Sequence, residues 1–78
     1  MSKLPQVSGK DTIKALQKVG FVISSQRGSH VKLVRKNSDQ HQTIIVPMHK
    51  ILKKGTLRNG ILKPINMTVD QFAKLLNK

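Results

Sequence analysis

The sequence predicts an α+β fold in which helices cover one face of a three-stranded antiparallel sheet, and three observations carry that reading. Apolar residues recur at helical spacing near both ends of the chain. Three short β-branched runs lie between them, and a turn or capping signal separates each run from the next. No internal repeat or low-complexity segment breaks this order.

The first helix is predicted over Gly9–Val19. Ser8-Gly9-Lys10-Asp11 resembles a capping box with Asp in the third helical place, Ile13, Leu16 and Val19 follow at helical spacing, and Gly20 supplies the stop. Phe21–Ser25 is β-branched and aromatic in character and predicts a first strand; His30–Lys36, where Val31 and Leu33 alternate with polar neighbours, predicts a second. Arg27-Gly28-Ser29 is the turn between them, with Gly28 free to take positive φ. Asn37–Gln40 reads as a polar loop, and Gln42–Val46 as a third strand that Pro47 ends. Leu57, Ile61, Leu62 and Ile65 form the apolar stripe of a second helix, weakened by Gly60 and bent or ended by Pro64. Thr68-Val69-Asp70-Gln71 is a second capping box, opening a short terminal helix with Phe72, Leu75 and Leu76 inward.

Composition narrows the function classes. At 78 residues the chain fits one domain, 1–78, and its 37% hydrophobic content, spread along the whole length, is enough to fold it. Fifteen Lys and Arg face only Asp11, Asp39 and Asp70, for a net charge of +12. Such a surface attracts polyanions, and the counterions released by neutralised phosphates make nucleic-acid binding salt-dependent. A solvated basic face that keeps the protein soluble, or an acidic protein partner, satisfies the same charge. The absence of cysteine excludes disulfides and Cys-based zinc sites. No apolar run approaches the roughly 20 residues of a membrane span, and Met1–Val7 lacks a signal-peptide core, so the expectation is a cytoplasmic protein with no membrane partner.

The chemistry concentrates on histidine. A hairpin of the second and third strands centred near Ser38 and Asp39 sets Leu33 against Ile44 and Val31 against Val46, which puts His30 beside Pro47. His49 leaves the same end two residues later, next to the Gly28 turn, whereas His41 falls at the opposite end. Imidazole is the side chain best suited to move a proton near neutral pH, and positive neighbours favour its neutral, basic form. His30 is therefore the candidate general base for attack of a ribose 2′-hydroxyl on its own phosphodiester, a reaction that Lys and Arg side chains assist and that needs no metal or other cofactor. The flanking set is Arg27, Gly28, Ser29 and Lys32, with His49 either protonating the leaving oxygen or binding phosphate. The plainer alternative is that His30 is a polar surface residue at a strand edge. Two histidines with no cysteine and few carboxylates make a poor metal-ligand set. Lys53-Lys54-Gly55-Thr56 leads into the second helix and, with Arg58 and Lys63, forms a basic stripe suited to a phosphate, or simply a capped helix with solvated lysines. Phe21 and Phe72 fit core positions and there is no Tyr or Trp, which disfavours a stacking-platform module.

Leu4-Pro5-Gln6-Val7-Ser8-Gly9-Lys10, Val19-Gly20-Phe21, Arg27-Gly28-Ser29-His30, Val46-Pro47-Met48-His49 and Lys54-Gly55-Thr56-Leu57-Arg58, in this order and spacing, resemble the HicA toxin family over nearly the whole chain. The resemblance implies a double-stranded-RNA-binding-domain-like fold and ribonuclease activity on mRNA, with His30 catalytic. It also implies an acidic HicB-type antitoxin that covers the active site. Gly60 and Pro64 depart from the family pattern, where similar proteins carry stronger helix formers. The competing readings are a double-stranded-RNA-binding module without catalysis, resting on Lys53 and Lys54, and an inert half of a tight complex with an acidic protein.

Overall fold

Ser8 opens the first helix, α1 (Gly9–Gln17), by accepting a hydrogen bond from the Asp11 N–H on its hydroxyl oxygen at 3.0 Å, while its carbonyl accepts from the Thr12 N–H and hydroxyl. The computed structural model describes residues 6–36 and 41–76; the predicted Asn37–Gln40 loop lies outside the described residues, as do 1–5 and 77–78. α1 ends at Gln17, two residues before the predicted Val19, and a turn over residues 18–20 carries the chain to Gly20, the expected stop. The Phe21 N–H reaches back to the Leu16 carbonyl, the Gly20 N–H to the Gln17 carbonyl, and Gly20 takes φ +100°, the left-handed residue such a stop requires. Leu16 and Phe21 are both buried across this stop, so the cap also starts the core.

Three strands follow, β1 (Val22–Arg27), β2 (His30–Lys36) and β3 (His41–Pro47), in the antiparallel order β1-β2-β3. The β2–β3 register is the predicted one, with Leu33 opposite Ile44, Val31 opposite Val46 and His30 opposite Pro47. β1 begins one residue after Phe21 and runs two residues past the expected Ser25, because the two-residue Gly28–Ser29 turn pairs Arg27 directly with His30 and leaves Gln26 and Arg27 in the ladder. The β1–β2 register shifts between Ile23 and Ser25. Every β1 residue is exposed, Ile23 by 52% although it lies opposite the buried Leu33, since the helices pack over β2 and β3 and leave β1 as an overhang.

The second predicted helix is not an α-helix. Thr56–Leu62 is wound as a π-helix, continued by a 3-10 turn over Lys63–Ile65. Pro64 has no N–H to give and its ring would crowd the carbonyl of Gly60 four residues back, so an α-helical ladder cannot run through it; the Lys63 N–H bonds instead to the Arg58 carbonyl, five residues back. The apolar stripe survives the change, because an i→i+5 ladder brings residues four and five apart to one side, and Leu57, Ile61, Leu62 and Ile65 are all buried. The segment ends at Asn66, which takes φ +56° while the Met67 N–H reaches the Leu62 carbonyl. The terminal helix, α2 (Val69–Leu76), has the full reciprocal capping box: the Gln71 N–H donates to the Thr68 hydroxyl oxygen at 3.0 Å and the Thr68 N–H to Gln71 Oε1 at 2.9 Å. Phe72 is fully buried and Leu75 and Leu76 pack on the core from its edge.

Two contacts lock the layers together. The Arg35 guanidinium donates to Gln42 Oε1 from Nε and Nη2 and to the Val19 carbonyl from Nη1, and stacks 4.6 Å above the centroid of the Phe21 ring, joining β2, β3 and the end of α1. At the other end, Gly9 lies against β3 so closely that a Cβ there would overlap the Pro47 carbonyl oxygen and sit 2.9 Å from Met48 Cα. Both obstacles are backbone. Gly9→Ala is therefore expected to destabilise the fold by about 2–3 kcal/mol or more, read as a lower urea midpoint, whereas Gly60→Ala, with open space around its Cβ, is expected to hold or raise the midpoint.

Candidate active site

Residues directly opposite one another in an antiparallel ladder share a face, so the register sorts the sheet's side chains. Val31 with Val46 and Leu33 with Ile44 point into the helices and are buried. The other face carries Arg27, His30 and Pro47 in one row, Ser25, Lys32 and Ile45 in the next, and Val22, Val34 and Thr43 in the third. Arg27, His30 and Lys32 are all exposed. His30 thus stands in the central strand with Arg27 as its direct neighbour on one side, its Cα about 5 Å away by ladder geometry, and Lys32 two residues along the same strand.

The turn before His30 is set by Gly28. Its φ is +59°, no other non-helical residue of the hairpin loop takes a positive φ, and this is the pattern of a tight turn with glycine at the first central position. The Gln26 side-chain amide donates to the Gly28 carbonyl at 3.0 Å and backs the turn from β1. From the other side, the Met48 N–H donates to the Ser29 carbonyl at 2.6 Å, and the Gly9 N–H donates to the His49 carbonyl at 2.9 Å. These bonds hold the Pro47–His49 segment against the turn, so His30 and His49 leave the same end of the sheet, both exposed. His41 pairs with Lys36 at the far end and takes no part.

Lys53, Lys54 and Arg58 occupy a different element. Leu52 turns into the core, its N–H bonded to the Val7 carbonyl at 2.7 Å, and the chain then enters a helical turn at Lys54 and Gly55, with the Leu57 N–H on the Lys53 carbonyl. All three cations are exposed, and they share no strand register with His30. Among the described residues, no three His, Cys, Asp or Glu side chains gather closely enough to hold a metal ion. Sequence reasoning passed over Ser25 and Ile45, which flank Lys32 on the face of His30; their signal was present in the strand alternation, once Arg27 is known to pair with His30.

A family model described as the HicA toxin of bacterial toxin-antitoxin matches residues 9–66. The matched span begins at the Gly9 contact and includes the Gly28 turn, His30, His49 and the basic stripe, and it stops at the left-handed Asn66 before α2. No curated protein and no solved structure matches the chain.

Nothing lies within 4 Å of a Cβ built on Gly28, so only its backbone conformation resists substitution. Gly28→Ala is expected to cost about 1–2 kcal/mol, and Gly28→Asn less, because asparagine enters the left-handed region more readily. Equilibrium urea unfolding of the two variants beside the unaltered protein checks the order.

Proposed function

The chain belongs to the HicA toxin family of bacterial toxin-antitoxin systems, and on that premise we propose that it is a metal-independent endoribonuclease that cleaves mRNA through His30 and is restrained by an acidic, HicB-like antitoxin. The observation that carries the reading is the position of His30: exposed, in the central strand, on the face the helices leave open, with Arg27 and Lys32 beside it.

In the proposed reaction His30 takes the proton of a ribose 2′-hydroxyl while the 2′-oxygen forms a bond to the adjacent phosphorus. The bond from phosphorus to the 5′-oxygen of the next nucleotide breaks, and that oxygen leaves with a proton. The products are a 2′,3′-cyclic phosphate and a 5′-hydroxyl. Arg27 and Lys32 offset the charge that builds on the phosphorane oxygens, and positive groups fixed on a rigid ladder do so without reorganising. His49, held to the same end of the sheet through its own carbonyl, supplies the leaving-group proton or binds the phosphate. Gly28 and Ser29 set the turn that brings the strand backbone close to the substrate. Lys53, Lys54 and Arg58 draw in the flanking RNA, and the net charge of +12 serves both the polyanion and the acidic antitoxin. Among the described residues no helix is long and apolar enough to cross a membrane, and a protein acting on mRNA works in the cytoplasm.

End-labelled RNA incubated in EDTA with the wild-type chain and with His30→Ala tests the proposal. Cleavage is expected from the wild type alone, with cyclic phosphate ends, and a loss of about 10²–10⁴-fold in the variant; undiminished cutting by His30→Ala overturns it. RNA bound by a folded wild-type protein yet left intact would identify a double-stranded-RNA-binding module instead. Replacing Lys53 and Lys54 with Gln is expected to flatten the salt dependence of binding, the log–log slope falling by about 0.7–0.9 for each phosphate that is no longer neutralised.

A further inference from the structure

Pro47, directly opposite His30, is buried, and the nearest exposed apolar residue in the register of the open face is Ile45. It lies opposite Lys32, and therefore diagonally across from His30, a separation of about 7–8 Å between neighbouring strands. It is 47% exposed, a branched aliphatic side chain in the third strand with polar Thr43 two residues before it on the same face. Nor does it stand alone. Val34 is its diagonal neighbour on the other side of Lys32, and Val22, 56% exposed, is opposite Val34, so an aliphatic strip crosses all three strands and ends beside the imidazole. Arg27 and Lys32 flank the His30 end of the strip with positive charge.

Resting on the ribonuclease reading, we propose that Ile45, backed by Val34 and Val22, is the shelf on which the enzyme receives a base of a single-stranded RNA next to the phosphate that His30 acts on. A nucleotide has the matching chemistry, an anionic phosphate for the cations and an apolar base face for the strip. Its placement follows from the register, since the row beside His30 on β3's side of the sheet is Ile45. The usual surfaces for bases are missing here: Phe21 and Phe72 are 1% and 0% exposed, and the chain has no Tyr or Trp. An aliphatic shelf contacts the face of a base and offers no donor or acceptor to its edge, so it holds any of the four bases with little preference.

The test uses the full chain carrying Ile45→Thr and Ile45→Tyr, both residues that strands accept, with thermal melts to confirm that each variant folds. Cleavage of a single-stranded oligoribonucleotide is expected to show KM raised about three- to tenfold by Ile45→Thr and lowered by Ile45→Tyr, with kcat within about twofold in both, as a change in base binding alone requires. The dissociation constant of the same fluorescent oligonucleotide is measured in parallel on His30→Ala, with and without Ile45→Thr. Constants that ignore residue 45 overturn the proposal, and so does a change confined to the binding of an acidic antitoxin with RNA binding unaltered. If the wild type binds RNA but never cuts it, the ribonuclease reading fails by itself, and the paired His30→Ala measurements still decide whether Ile45 receives a base.

Discussion

The first residue of α1 lies against the end of β3 more closely than any side chain permits, and the geometry of the site depends on that contact. Gly9 gives its N–H to the His49 carbonyl, Met48 gives its own to Ser29, and Val7, just before α1's capping serine, accepts from Leu52 in the segment beyond. One backbone junction thus gathers the start of α1, the Gly28–Ser29 turn and the exit from β3. His30 and His49 inherit their common location from it. None of this uses their side chains, so the imidazoles remain free for chemistry while their backbones are held on both sides.

A division of labour between the two faces of the sheet follows. The buried face is filled by β2 and β3 together with all three helical segments, and β1 contributes almost nothing to the core although it pairs with β2 along its length, interrupted only by the register shift between Ile23 and Ser25. β1 is retained as a wall for the open face, where Arg27 and Ser25 sit beside His30 and Lys32. Because stability rests on the opposite face, charged groups can accumulate here without being desolvated, and exposed substitutions on such a face usually change stability by no more than about 0.5 kcal/mol. A cationic cluster on a buried surface would carry a far larger cost.

How much of this was legible in the sequence depends on how local each signal is. The β2–β3 register followed from a hairpin centre and the rule that neighbouring side chains alternate in face, and the reciprocal Thr68–Gln71 cap needed only four residues. The Schellman-type stop at Gly20 was equally local. The winding of Thr56–Ile65 was half legible: Gly60 and Pro64 marked the second helix as weakened and bent or ended, but nothing local in the sequence distinguishes the π form it takes, with Leu57, Ile61 and Leu62 buried, from a short or kinked α-helix. Gly9 and Arg35 were not legible in their roles at all. In sequence Gly9 is an ordinary residue of a capping box, and Arg35 one basic residue among fifteen Lys and Arg; each acquires its function from partners more than a dozen residues away, Pro47 for one and Val19 for the other. Long-range approach of this kind leaves no periodicity to read.

The same rigidity bears on how a toxin of this shape is controlled. The open face is laid out by a ladder, a tight turn and backbone junctions, with no hinge or lid among the described elements that would have to close before His30 meets a substrate. Under the proposed function, a site that is always formed is restrained most directly by occupancy: an antitoxin that covers it leaves active only the unbound fraction, which falls as its free concentration rises above its dissociation constant. The charge of +12 works in favour of that arrangement, because it accelerates encounter with an acidic protein as well as with RNA. Under the proposed function, antitoxin and RNA compete for one set of cations on one surface. On the same reading, removal of the antitoxin is enough to restore activity, since the open face is laid out without a lid among the described elements.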